Sequence, residues 1–292
     1  MPKRVLIQLD CDSQPSTFDS IVAVDAGIDV LLRHGSVTPD GVVPLVHGAI
    51  FTRGGADLAS TAIFVGGSDI VAAEAVAESI RRTFFGSMRV GVLVDPSGAN
   101  TTAAAAVISA FRHLPHCDSA QAVVLGGSGP VGQRVVRLLV RKGHRVTIAS
   151  RSLDRAEAAA TRVREQVPGA QVAAMESHGT VLPGSPLARV LAAADVVVAA
   201  GAARATVLNE GGRAALAHAS VVIDLNAVPP AGIHGIAASD KGRLDGKAAC
   251  YGALGVGVVK MKIHKAAIER IFTDHRSWLD AEDLLVLGES VA

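Results

Sequence analysis

The chain has 292 residues, 49% of them apolar and 19% charged, with a formal net charge of +1. That length allows two modest domains with separate cores, and the composition is globular rather than disordered. A near-neutral charge, no basic run and no apolar stretch long and glycine-free enough for a bilayer argue against nucleic-acid and membrane partners.

The three cysteines, Cys11, Cys117 and Cys250, are odd in number and widely separated. They suit neither a disulfide framework nor a zinc site. Met1-Pro-Lys-Arg4 leads directly into a strand-like run, so no signal peptide is predicted. The expectation is a cytoplasmic protein without a structural metal.

Residues 4–9 read as a strand that closes on Asp10-Cys-Asp12. Ser16 is an N-cap candidate before the apolar pattern Phe18, Ile21, Val22. Thr38-Pro-Asp40 is read as the cap of a further short helix. Residues 50–55 look like a loop, 60–67 a strand, 69–82 a helix and 89–94 another strand. These first hundred residues form an α/β unit of their own. Asp95-Pro-Ser-Gly-Ala-Asn-Thr-Thr102 then leads into an alanine-rich helix predicted over 103–113, where the domain crossing is placed.

The next stretch is the most informative. Ala122-Val-Val-Leu125 is an apolar run that reads as a buried strand. Gly127-x-Gly129-x-x-Gly132 follows at once, and then a helical pattern over 130–141. A glycine loop between strand and helix is the dinucleotide fingerprint in its proper context. Gly127 is assigned the tight turn, Gly129 the approach of a pyrophosphate and Gly132 the close packing of helix on strand. Ser128, Pro130 and Val131 complete the loop and the first helical turn, whose N–H groups face the phosphates.

A second strand over 145–149 ends in Ser150-Arg151-Ser152. An NAD site usually places an acid there for the ribose 2′-OH. A guanidinium between two hydroxyls suits a 2′-phosphate instead, so NADP is expected. The alternative is that Arg151 is a solvated loop charge. Strand–helix alternation continues through helix 153–166, strand 172–175, helix 187–193, strand 195–200, helix 209–217 and strand 220–225. That is the order of a doubly wound parallel sheet, in which ligands sit beyond the carboxyl ends of the strands. Ala200 and Asn226, at two such ends, join the cofactor candidates.

Glycines at 252, 255 and 257 precede Lys260-Met-Lys262-Ile-His264-Lys265, in a helix predicted to continue to Phe272, and an amphipathic segment over 280–287 follows. The fold class predicted is α/β with two domains, a Rossmann-type parallel sheet plus a smaller N-terminal α/β domain. The division is placed at residues 1–100 and 101–292, with helices in 258–292 packing back on the first domain.

Several motifs resemble one family in order and spacing. They are Asp10 with Pro-Ser-x-Phe-Asp19, Thr38-Pro-Asp40, Thr52-Arg-Gly-Gly55, Ser60-Thr-Ala-Ile-Phe-Val-Gly-Gly67 and Asn100-Thr-Thr-Ala-Ala-Ala. Gly127-x-Gly-Pro-Val-Gly132, Asn226-Ala-x-Pro-Pro-x-Gly-Ile and Gly252-Ala-Leu-Gly-x-Gly with Lys260-x-Lys-x-His264 continue the series. The chain resembles the bacterial NADP-dependent methylenetetrahydromethanopterin dehydrogenases of methylotrophs.

The resemblance implies hydride removal from a methylene group bridging N5 and N10 of a tetrahydropterin. The alternatives are the same oxidation on methylenetetrahydrofolate and a non-catalytic NADP-binding protein. A shikimate-dehydrogenase-like enzyme would need a lysine in the first domain, and none occurs between Lys3 and Lys142. Lys260 matches a lysine that the family places in its active site, where it orients substrate as an ammonium or as a buried neutral amine. Lys262 and Lys265 read as a solvated helix face, and His264 as a packed histidine. Asp10, Asp19, Asn100 and Thr102 are the substrate-binding candidates, because carboxylates and amides can read a pterin's donor–acceptor edge in pairs. Each could equally be a cap or turn residue. The resemblance further implies a homo-oligomer, a trimer or hexamer.

Overall fold

The computed structural model describes residues 2–114 and 119–292, so Cys117 lies outside the described residues. The chain opens with β1 (Val5–Asp10), α1 (Thr17–Asp25), β2 (Val30–His34) and α2 (Val43–Phe51). β3 (Thr61–Gly66), α3 (Ile70–Thr83), β4 (Gly91–Val94) and α4 (Ala99–Phe111) follow. After them come β5 (Gln121–Leu125), α5 (Pro130–Arg141), β6 (Arg145–Ser150), α6 (Leu153–Gln166) and β7 (Val172–Glu176). Next are α7 (Pro186–Ala192), β8 (Val196–Ala199), α8 (Glu210–Ala214) and β9 (Val221–Asp224). The last elements are β10 (Lys241–Asp245), β11 (Ala248–Tyr251), α9 (Ala253–Arg270), β12 (Trp278–Leu279) and α10 (Ala281–Val291). They form two compact units, Met1–Thr101 with Met261–Ala292, and Thr102–Lys260.

The first unit is a five-stranded sheet in the order β12-β4-β3-β1-β2, parallel throughout. Every residue of the central strand β3 is buried, as a parallel strand covered on both faces requires. Ile7, Leu9, Val46, Ile50, Ile63, Val65, Val76, Ile80 and Val92 share one core. At the edge, the Val92 N–H donates to the Ser277 carbonyl at 2.9 Å and β12 extends the sheet.

The second unit is a seven-stranded sheet in the order β10-β11-β9-β8-β5-β6-β7. All neighbours are parallel except the hairpin β10–β11. From β5 the chain winds outward through β6 and β7, then returns to lay β8 on the other side. This reversal makes the carboxyl ends of β5 and β8 the switch point of a Rossmann-type sheet.

Several local expectations change. The helix assigned to 103–113 begins at Ala99, because Asp95 holds its first turn and draws Asn100 and Thr101 into it. The Thr38 hydroxyl accepts from Gly41 N–H in the turn before α2, whereas the cap residue of that helix is Val42, with no side-chain bond. α2 itself runs to Phe51, so the loop read from residue 50 starts later. β2, the hairpin and β12 were not foreseen.

Candidate active site

The glycine loop joins β5 to α5 at the switch point. Its left-handed residue is Gly126, with φ +71°, and not Gly127 as the motif suggested. Gly126 also lies so close to the end of β8 that an added Cβ would stand 2.6 Å from Gly201 Cα. Gly127 is demanded by contact instead, since its Cβ would meet the Val124 carbonyl oxygen at 2.9 Å. Gly132 plays its expected part: a Cβ there would stand 2.6 Å from Gly127 Cα and 2.7 Å from Gly126 O.

α5 starts at Pro130, which has no N–H to lose, and its N-cap Gly129 makes no side-chain bond. The first-turn amides of Val131 and Gly132 have no acceptor within the helix, and the dipole's positive end adds to their field. A Cβ on Gly129 would fill the space between Gly126 O, at 3.3 Å, and Ala200 O, at 3.7 Å. Ala200 is half-buried, its N–H bonded to the Leu125 carbonyl at 2.8 Å. An open cradle beside amide donors fits a pyrophosphate.

One strand over, β6 ends in Ser150, buried and with its hydroxyl 2.8 Å from that of Ser128. Arg151 is exposed. The Ser152 hydroxyl caps α6 by accepting from Arg155 N–H at 3.3 Å, so its role is at least partly structural. Arg155, exposed in the first turn of α6, adds a second guanidinium that the sequence reading passed over. Its signal was the i+4 spacing from Arg151 across a cap. Arg151 and Arg155 stand on either side of Asp154 at this helix N-terminus, and with no acid in 150–152 the two guanidiniums fit a 2′-phosphate better than a ribose diol.

At the end of β9 the carboxylate of Asp224 organises the backbone around Asn226. Asp224 is 2% exposed and accepts from Asn226 N–H and Ile233 N–H, each at 3.0 Å. Burial pushes its carboxyl above the usual range, while these backbone bonds pull it back. The Asn226 side chain is spent within its own loop, donating to Pro230 O at 2.8 Å and accepting from Val228 N–H at 3.1 Å. A strand-end acid followed two residues later by Asn was the available signal. A groove of about 330 Å³ in the same unit, lined by Gln121, Arg145 and Gln171, opens at the amino ends of β5–β7, the wrong end for this chemistry.

In the first unit, Asp10 is 1% exposed and accepts from Asp12 N–H at 2.9 Å and Ser16 N–H at 3.1 Å. Asp12 in turn ties the end of β1 to that of β3 through the Ser68 N–H and hydroxyl, at 3.0 and 2.8 Å. Asp19 is half-buried near the start of α1, its carboxylate 3.9 Å from His264 Nε2. His264 is fully buried and stacks on Phe64 at 5.7 Å, the packed role expected of it.

Asn100 is buried, and its amide donates to Val94 O at 2.6 Å. The organiser of that helix start is Asp95, fully buried, which accepts from the amides of Asn100 and Thr101 and from the Thr101 hydroxyl at 2.6 Å. An Asp directly after a strand and four residues before a helix was its signal. Thr102 and Lys260 belong to the other unit, Thr102 half-buried in α4 and Lys260 half-buried in α9. Lys262 and Lys265 are exposed.

The family described as methylene-tetrahydromethanopterin dehydrogenase, N-terminal, matches residues 17–97, and that of shikimate / quinate 5-dehydrogenase matches residues 109–233. The bifunctional protein MdtA of Methylorubrum extorquens is 40% identical over 297 residues, with 100% of each chain covered. The NAD(P)-dependent methylenetetrahydromethanopterin dehydrogenase of the same organism is 30% identical over 294 residues, covering 98% of this chain and 95% of its own. Among solved structures, quinate dehydrogenase from Corynebacterium glutamicum in complex with NAD aligns with a TM-score of 0.53 at 15% identity, over 99% of both chains. Shikimate 5-dehydrogenase from Listeria monocytogenes gives 0.50 at 14% identity, over 99% of this chain and 96% of its own. The structural likeness concerns the fold alone. Sequence identity along the whole length decides the rest, and by it the chain belongs to the methylenetetrahydromethanopterin dehydrogenase family.

Proposed function

We propose that this protein transfers a hydride from the methylene carbon of N5,N10-methylenetetrahydromethanopterin to NADP, leaving the methenyl cation. The observation that carries the reading is the pairing at adjacent strand ends of an amide cradle after β5 with Arg151 and Arg155 after β6, where an acid would select NAD. The bound nucleotide supplies a hydride acceptor at its nicotinamide C4. What the chain supplies is binding and orientation. Gly126 to Gly132 admit the pyrophosphate, Arg151 and Arg155 hold the 2′-phosphate, and the Ala200 and Asn226 strand ends shape the remaining wall of the nucleotide site.

Both ring nitrogens delocalise the cation left on the pterin, so no proton leaves with the hydride and no strong general base is required. Positioning is then the main task. Lys260 orients the substrate. The first hundred residues carry the pterin site, with Asp19 reading the ring edge. Asp10 and Asn100 act through the loops they hold, and Thr102 lies one residue beyond the unit that contains them. Among the described residues no helix is long and apolar enough to cross a membrane. We place the enzyme in the cytoplasm as a homo-oligomer, a trimer or hexamer. Phe51 and Phe85, both more than half exposed with rings 5.9 Å apart, support a buried subunit contact.

The test is purified protein with methylenetetrahydromethanopterin and NADP, followed by the absorbance of reduced nicotinamide. Reduced NADP and the methenyl product should form in equal amounts. No turnover, with NADP still bound, overturns the enzymatic reading. Faster turnover of methylenetetrahydrofolate moves the assignment to that carrier.

A further inference from the structure

Gln133 is the fourth residue of α5, and helical side chains lean toward the N-terminus, so its carboxamide lies back over the glycine loop. Its Nε2 donates to the Ser128 carbonyl at 2.6 Å, and its Oε1 accepts from Arg162 Nε on α6 at 3.3 Å. Those partners leave the amide one orientation, because a carbonyl only accepts and a guanidinium only donates. A glutamate or a hydrocarbon of the same length would lose at least one bond. Ser128 is also joined to Ser150 through their hydroxyls. The phosphate loop is therefore tied to the β6–α6 segment twice, on either side of the turn that carries Arg151.

We infer that Gln133 is a positioning residue for NADP: by holding the Ser128 carbonyl and Arg162 at once, it fixes the spacing between the phosphate loop and the Ser150-Arg151-Ser152 turn. The inference rests on the NADP reading above. NAD and NADP share every anchor except one, because only NADP carries the 2′-phosphate that the Arg151 turn reads. The gain from a second anchor depends on how well its spacing is held once the first is made. A loosened spacing therefore costs NADP more than NAD, and Gln133 contributes to cofactor choice without touching the 2′-phosphate.

The test is calorimetric titration of the full chain with NADP and with NAD, independent of turnover. Gln133→Met should weaken NADP about tenfold and NAD by about threefold or less. Gln133→Glu keeps the acceptor for Arg162 but loses the donor to Ser128, and should weaken NADP as much as Gln133→Met does. Arg162→Met, on an exposed face, should show a smaller loss confined to NADP, and it carries the test if the Gln133 variants fold poorly. Equal losses with both nucleotides would reduce Gln133 to ordinary loop architecture and overturn the inference, as would no loss at all. If the parent binds NADP and NAD equally, the 2′-phosphate reading falls and this inference falls with it. A parent that prefers NADP, together with variants that keep its preference, rejects Gln133 alone.

Discussion

Gly132→Ala tests the nucleotide site with a single methyl group. Its Cβ would stand 2.6 Å from Gly127 Cα and 2.7 Å from Gly126 O, both backbone atoms with no flexible end to yield. Carbon contacts settle at about 3.5–4.0 Å, so the start of α5 must retreat from the loop by roughly 0.9 Å or more. Overpacking of this kind costs about 1–3 kcal/mol. For a chain of this size that is a fall in Tm of roughly 2–10 °C. The same retreat carries the Val131 and Gly132 amides away from the pyrophosphate, and NADP should bind about 10- to 100-fold more weakly. Scanning calorimetry and NADP titration read the two effects separately. Gly48→Ala is the control, at an exposed position of α2 with nothing within 4 Å of its Cβ. It should stabilise the protein by about 0.4–1 kcal/mol and leave NADP binding alone. If Gly132→Ala keeps both Tm and NADP affinity at parental values, the close approach is not what the loop requires and the reasoning fails.

Arg151→Ala should raise the KM for NADP about tenfold or more, the loss of one charge-assisted phosphate contact of about 1.5–3 kcal/mol, and leave the NAD reaction nearly unchanged. Equal losses with both cofactors would show that Arg151 does not read the 2′-phosphate. Lys260→Met keeps the bulk of the stem and should lower kcat/KM about 10- to 1,000-fold with an unaltered pH profile. Loss of one limb of that profile would make Lys260 a titrating catalyst rather than a positioning group. Burial lowers the pKa of His144 against an opposing pull from Asp195, while its Nδ1 accepts from Ala120 N–H at 3.0 Å. The folded value lies below the unfolded one, so His144 favours folding fully above about pH 6.5 and loses that contribution as the pH falls from there through its lower folded value. His113, lowered by burial and by Arg112, adds the same sign. Urea midpoints of His144→Gln should drop less on acidification than those of the parent, and identical drops would remove His144 from the account.

The Rossmann-type sheet was legible because its strands are near-continuous apolar runs with helices of clear period between them, and the limits of α6 read correctly at both ends. β2 escaped notice: as an edge strand it ends in Arg33 and His34 and leaves Leu32 44% exposed. β12 has two residues and no pattern of its own; only pairing with β4 makes it a strand. The cofactor motif gave the location of the cradle but put the left-handed turn one residue late, since spacing does not distinguish Gly126 from Gly127. The roles of Asp95, Asp224 and Gln133 were not legible for a common reason. Each acts on backbone groups brought to it by the fold, and a sequence names a carboxylate or an amide without naming what it will hold.

The strand β12 has a consequence for how the protein is made. Nucleotide-unit residues Thr102–Lys260 are contiguous, so that unit can fold as soon as it leaves the ribosome. The first unit cannot. Its sheet lacks the edge strand Trp278–Leu279, and its core lacks His264, until the second unit and the segment after it have been synthesised. Through that interval β4 presents an unpaired edge at Val92 and Leu93, the kind of surface that recruits strands from neighbouring nascent chains. The part of the protein translated first is thus completed last, and a chain that stops short of Trp278 leaves that edge open to other strands.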